Sequence, residues 1–175
     1  MITVVLSGWE VESLAAEICR ILEKFGGACL VSQDSVQAYF AIAPSFLLFH
    51  ADTVRALPEK NTVFLQTDAT FEPKIEKNCK FDCIITESTS EKHCAAQIIT
   101  VGMGRQNDIG ISSTESGHLH IAVQNTVHTL AGKEILPCEF SVLGAETVSH
   151  SALLYAFALL LLAEKIDHDL LTVKL

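Results

Sequence analysis

The turn after the first apolar run contains the residues best suited to binding a ligand. It reads SGWEVES from Ser7 to Ser13 and separates the β-branched run Ile2–Leu6 from an amphipathic stretch. A phosphate-binding loop needs glycines, a lysine for the phosphate charge and a serine or threonine for Mg²⁺. This turn has Gly8 and Ser13 but no lysine, and its two glutamates repel phosphate. The pattern favours a helix start capped by its own carboxylates.

Two further turns could form a groove with this one. Gly102 and Gly104 follow an apolar run and precede Arg105, which is a weak signal for a second phosphate cradle and fits a strand-ending turn better. Open α/β sheets bind ligands at the carboxyl ends of their strands, so we expect a groove there. It would be lined by Gly8, Glu10, Glu12, Ser13, Glu87 and Gly104. The carboxylates in this set favour a cationic or hydroxyl-rich ligand over a phosphate.

Three histidines raise the possibility of a metal site. His118 and His120 are two residues apart on a predicted strand and therefore share a face, and His128 lies on the next run. Three imidazoles could hold a metal ion. Because no carboxylate can be identified to orient them, we favour polar side chains on a solvated face and predict no metal site.

The cysteines indicate burial rather than chemistry. Cys79 and Cys83 have three residues between them, not the two of redox and zinc motifs, and Cys83 falls inside a predicted strand. His93 and Cys94 are adjacent in sequence, which does not bring their side chains together. We therefore assign no catalytic residue and no cofactor.

Composition excludes several classes of partner. The 175 residues are 49% hydrophobic and 19% charged, with a net charge of -9. An acidic domain repels nucleic acid and anionic membrane surfaces. The longest apolar stretch, Ala152 to Ala163, is too short for a bilayer, which needs about 20 residues, so we predict a buried helix. With no basic segment before Ile2 and six cysteines in apolar surroundings, we predict a cytoplasmic protein.

The hydrophobic pattern predicts an α/β fold. An amphipathic helix is predicted from Glu10 to Phe25, ended by Gly26 and Gly27. Continuous apolar runs indicate strands buried on both faces, as in a parallel sheet covered by helices. The predicted strands are Ile2–Leu6, Ala28–Val31, Phe46–Phe49, Thr62–Leu65, Asp82–Thr86 and Gln97–Val101.

The second half of the chain changes character. The runs Ile109–Ser113, His118–Val123 and Thr126–Leu130 alternate and are separated by turn residues, which predicts a small antiparallel sheet near residues 109–140. A long helix is expected at 147–165, apolar on all sides, and it could also mediate self-association. We predict one α/β domain over residues 1–175: a mostly parallel sheet flanked by helices, plus the small antiparallel sheet.

Together these segments resemble the central, ATP-binding domain of the Mur ligase family, over most of the chain. Ser7 to Leu14 stands where that family has its TGTNGKTT loop, and Phe81–Thr86 resembles the strand entering its metal-binding segment. Gln97 to Gly104, followed by Asn107-Asp108, is similar to the strand that leads into the family's small antiparallel sheet. Leu143-Gly144 and Val148 to Leu162 are similar to its GxHNxxNALAA helix. The resemblance implies a P-loop-like α/β fold.

The departures from the family pattern imply lost catalysis. Glu12 replaces the loop lysine, and Val11 replaces a glycine that allows close backbone approach. The segment between Glu87 and Ala96 has no room for the family's catalytic histidine and modified lysine, and His150 falls near the family's asparagine. The resemblance covers the central domain alone, without the domains that bind the UDP-sugar and the amino acid.

We therefore expect a degenerate, truncated Mur-ligase-like domain, a pseudoenzyme acting as a ligand-binding or assembly module. Its partner would be a small molecule or a protein. The alternative is a minimal nucleotide-binding enzyme, or one subunit of a split ATP-dependent ligase whose other domains lie on a partner chain.

Overall fold

The computed structural model describes residues 1–8, 11–33, 35–58, 60–68, 73–88, 95–115, 118–145, 147–166 and 171–175. In chain order the elements are β1 (Ile2–Ser7), α1 (Val11–Glu23), β2 (Ala28–Val31), β3 (Val36–Tyr39), β4 (Phe46–His50), β5 (Thr53–Val54), β6 (Thr62–Gln66), β7 (Lys74–Ile75), β8 (Phe81–Thr86), β9 (Ala95–Gly102), β10 (Ile109–Glu115), β11 (His118–Val123), β12 (Val127–His128), β13 (Glu134–Ile135), β14 (Cys138–Leu143), α2 (His150–Leu162) and β15 (Thr172–Lys174).

One mixed sheet organises the molecule. In the described part of the chain it has eleven strands in the order β15-β14-β11-β10-β9-β8-β6-β1-β4-β2-β3. β3 runs antiparallel to β2, and β11 runs antiparallel to both of its neighbours, β10 and β14. Two short ladders lie outside this sheet: β12 with β13, antiparallel, and β5 with β7, parallel.

The predicted fold class is wrong. The described residues form mainly strands in a mixed sheet and only two helices, so the fold is not a mostly parallel sheet flanked by helices. α1 and α2 contact each other and cover the same face. In the connections at 51–61 and 67–80 the described residues form the short strands β5 and β7, not helices that could cover a parallel sheet. Continuous apolar runs indicated burial on both faces, but extended segments can provide that burial as well as helices.

The predicted small antiparallel sheet is not a separate unit. β10 and β11 pair antiparallel as expected, but they continue the main sheet beyond β9, and the next strand is β14. The predicted strand Thr126–Leu130 is extended only at Val127–His128, in the separate β12–β13 ladder. β10 runs parallel to β9 although only residues 103–108 connect the two. Asp108 holds this tight connection: its Oδ2 accepts from Thr100 N and Thr100 Oγ1, both at 2.8 Å, and its Oδ1 accepts from Asn125 Nδ2 at 2.8 Å.

The helix-covered face contains the main core. α1 buries one stripe of side chains against the sheet and ends at Gly26 and Gly27, whose positive φ angles of 111° and 78° suit glycine. In α2 every side chain from Ala152 to Leu162 is buried. Phe157 packs edge-on against Phe140 with 5.1 Å between ring centroids. Within the described residues, neither helix has the length and apolarity required to cross a membrane.

A second, smaller core lies on the opposite face. It consists of Val5, Val54, Phe64, Cys79, Phe81 and Ile84. The ring centroids of Phe64 and Phe81 are 5.1 Å apart. The connections that carry β5 and β7 cover this cluster, so one face is packed by helices and the other by extended chain.

Candidate functional site

The residues predicted to line the groove lie at one edge of the sheet. Gly8 follows β1, Glu12 and Ser13 lie in the first turn of α1, Glu87 follows β8, and Gly104 follows β9. The order β9-β8-β6-β1, with these strands parallel, brings their carboxyl ends to the same edge. Glu10 falls outside the described residues. We refer to this arrangement as the carboxyl edge.

The turn after β1 is closed by its neighbour strand. The Ser7 carbonyl accepts from the backbone N of Thr67 at 3.1 Å and from its Oγ1 at 3.2 Å. Gly8 has a φ of 147°, and a Cβ on it would lie 2.1 Å from Thr67 Oγ1. Glycine is therefore required here by the approach of Thr67.

The second glycine turn is also explained by contacts within the chain. A Cβ on Gly102 would lie 2.1 Å from Asn107 Nδ2, and one on Gly110 would lie 2.7 Å from the Gly102 carbonyl. The Asn107 backbone N donates to the Gly104 carbonyl at 3.2 Å. These glycines permit the tight β9–β10 connection, which agrees with the strand-ending turn favoured from the sequence.

Carboxylates surround the N-terminus of α2, which points to the same edge. Ser149 caps the helix by accepting from Ala152 N at 3.3 Å. Glu17, from α1, accepts from Ser149 N at 3.3 Å and also from its hydroxyl. Glu87 accepts from Ser151 Oγ at 3.5 Å. Negative side chains are stabilised at a helix N-terminus, so α2 receives there the charge that a bound anion would otherwise supply.

The N-terminus of α1 also has a carboxylate of the chain beside it. Glu12 lies in its first turn and is exposed. Both helix N-termini at the carboxyl edge are therefore next to carboxylates of the chain itself. The sequence indicated Glu12 and Glu87 but not Glu17, because the contact that matters joins residues 132 positions apart.

A buried tyrosine hydroxyl connects α2 to the end of β6. Tyr155, fully buried, donates to the Gln66 carbonyl at 2.9 Å. Burial, with a smaller contribution from Glu87, raises the pKa of Tyr155 above its ordinary value, so the phenol stays protonated and remains a donor. Ser7 Oγ is buried nearby without a hydrogen-bond partner in the described part of the chain.

The three histidines considered as possible metal ligands are separated. His120 lies in β11 opposite Ser113 and Ser141. His118 begins β11 opposite Glu115, at the end of the β10–β11 hairpin away from β9, and its side chain is outside the described part of the structure. His128 follows the other end of β11, and its Nε2 lies 3.5 Å from Glu134 Oε1. β11 therefore separates His128 from His118, and the three positions do not converge on one metal.

Cys79 and Cys83 lie in different cores. Cys83 belongs to the helix-covered core, and burial raises its pKa to about 12. Cys79 belongs to the smaller core, where its Sγ donates to the Val54 carbonyl at 3.7 Å. Both side chains are buried, as the sequence predicted. Cys94 and His93 lie outside the described residues.

A cavity of about 330 Å³ lies at the opposite, amino edge, between β8, β9, the β12–β13 ladder and the end of α2. Its polar groups are engaged within the chain. Gln97 donates to the His128 carbonyl at 3.1 Å and accepts from His128 N at 2.8 Å. Thr129 Oγ1 donates to Glu164 at 2.6 Å. These bonds fix the ladder to the sheet, so we interpret this cavity as a packing feature.

Comparison with known proteins yields a distant structural neighbour. No family model matches the sequence, and no curated protein matches it. A murein peptide ligase, Mpl, from Psychrobacter arcticus 273-4 is similar in structure, with a TM-score of 0.47 and 8% sequence identity. The similarity covers 90% of this chain and 43% of that one, so the chain spans less than half of the ligase. The likeness concerns the path of the chain alone.

Proposed function

We propose that this protein is a non-catalytic binding or assembly module whose recognition surface is the carboxyl edge. The observation that carries the proposal is the presence of carboxylates at both helix N-termini there: Glu12 on α1, and Glu17 and Glu87 around α2. Such an edge favours a cationic or hydroxyl-rich ligand, either a small molecule or a segment of a protein partner.

The charge argues against nucleoside triphosphates. Loops that bind phosphate surround it with backbone N–H groups and a lysine. Here Glu12 stands at the position where the resemblance to the ATP-binding domains would require the lysine. A carboxylate at this position repels a phosphate, whereas a lysine would attract it.

Calorimetric titration with ATP, with and without Mg²⁺, tests the proposal. The wild type should give no saturable heat at millimolar ATP. Glu12→Lys should gain weak binding, because the substitution supplies the missing cation at the helix N-terminus. Glu23→Lys is the matched control, since it makes the same charge change on an exposed residue at the other end of α1 and should gain nothing.

A second titration tests the ligand class. Spermidine supplies a cation without phosphate, and it should bind the wild type and bind Glu87→Gln several-fold more weakly, because one carboxylate is removed from the edge. Micromolar binding of ATP to the wild type would contradict the proposal and favour the alternative, a nucleotide-binding enzyme or a ligase subunit.

A further inference from the structure

A cavity of about 410 Å³ lies on the face of the sheet opposite the two helices. Its floor consists of Thr3 and Val5 of β1 and Leu47 and Phe49 of β4. The two strands align Thr3 with Leu47 and Val5 with Phe49, so the four side chains form one patch. Neither α1 nor α2 covers this patch, and the cavity lies away from the carboxyl edge.

The cavity is bounded by a fixed segment of chain. Residues 51–58 form its second wall, and Val54 within them is only 5% exposed. β5 is held by pairing with β7, and Cys79 Sγ donates to the Val54 carbonyl at 3.7 Å. Val5 and Val54 also belong to the smaller core, so the cavity is a continuation of a packed cluster. Its walls are therefore in place before any ligand binds.

A single charged side chain lines this cavity in the described part of the chain. Arg55 is exposed at the wall, and all the other lining side chains are uncharged. Arg55 makes no ion pair with any residue that the structure describes. In a chain with a net charge of -9, a guanidinium without a carboxylate beside an apolar cavity is available to an anion from outside.

We propose that this cavity binds a small monocarboxylate with an apolar body. The carboxylate pairs with the planar fork of the Arg55 guanidinium, and the apolar body lies against Val5, Leu47 and Phe49. A volume of about 410 Å³ is within the range of pockets that hold small ligands, roughly 300 to 1,000 Å³. The site is separate from the carboxyl edge, so it stands or falls independently of the function proposed there.

Titration with octanoate and with octanol tests the proposal, because the two share an apolar chain and differ in charge. Octanoate should bind with one-to-one stoichiometry and about fivefold more tightly than octanol, the upper range for a solvent-exposed ion pair. Arg55→Gln should remove the preference and leave octanol binding unchanged. Lys60→Gln, which removes a charge five residues further along the chain and outside the cavity lining, should keep the preference.

Two further variants locate the ligand. Ala56→Phe places a ring at the cavity wall and should weaken the binding of both compounds at least tenfold, while Ala16→Phe, on α1, should not. Methyl NMR should show octanoate-induced shifts at Val5 and Leu47 but not at Leu159. Lack of saturable octanoate binding, equal affinity for both compounds in the wild type, or full binding to a folded Ala56→Phe variant would each overturn the proposal.

Discussion

The two faces of the sheet are packed by different means. On one face, α1 and α2 complete a continuous core in which every side chain from Ala152 to Leu162 is buried. On the other, the extended connections around β5 and β7 cover a smaller cluster. Beyond that cluster the face is more open: Ile98 of β9 is 40% exposed.

Because of this difference, we expect one face to provide most of the stability and the other to be accessible to ligands. Burial of apolar surface is the main favourable term in folding, so the helix-covered face should dominate the free energy of unfolding. The opposite face, with the smaller core and the cavity, contributes less and can offer surface to a ligand. The acidic carboxyl edge lies where the strand ends meet both helix N-termini, and it is held partly by polar contacts.

Phe157→Ala should produce the largest effect of the substitutions that test this comparison. The side chain is 2% exposed and packs on Phe140, so its loss should lower the free energy of unfolding by about 4 kcal/mol. Phe64→Ala makes the same truncation in the smaller core and should cost less, about 3 kcal/mol. Urea denaturation followed by circular dichroism measures both. If Phe64→Ala cost as much as Phe157→Ala, the two faces would be equivalent.

Much of this fold could be predicted from local pattern, and the rest depends on pairing. The strands Ala28–Val31 and His118–Val123 match their predicted limits, because short apolar runs bounded by turn residues mark them. β3 and β7 were missed. They are short and largely exposed, and only their ladders with β2 and β5 make them strands. The error in fold class has the same origin, since the sequence shows that a strand is buried but not what covers it.

Tyr155→Phe examines a polar contact on the helix-covered face and should have an intermediate effect. The substitution removes the buried bond to the Gln66 carbonyl and should cost about 2 kcal/mol. Tyr39→Phe is the matched control, because its hydroxyl bonds Gln37 in an exposed position, and it should cost only a few tenths of a kcal/mol. Equal effects in urea denaturation would show that Tyr155 does not secure α2 to the carboxyl edge.

The candidate site was predictable only in part. Residue types at strand ends placed Gly8, Glu12 and Glu87 at one edge, because parallel strands end together. Glu17 was not predictable, since in sequence it is an ordinary polar position of an amphipathic helix. The apolar cavity was equally hidden. Its floor alternates with core residues along β1 and β4, and an isolated strand does not show which of its faces is left uncovered.

Alkaline pH should weaken the helix-covered face. Burial raises the pKa of Cys19 and of Cys83 from 9.0 to about 12. The unfolded state therefore loses these protons first. The free energy of unfolding should hold below about pH 9 and then fall as the pH rises towards the folded pKa of about 12. Urea denaturation at about pH 8 and pH 10 should show this fall in the free energy of unfolding.

The double variant Cys19→Ala, Cys83→Ala should flatten the pH dependence. Val63→Ala, which destabilises the same core without removing a thiol, should keep it. A slope unchanged in the double variant would assign the alkaline loss of stability to groups outside this core.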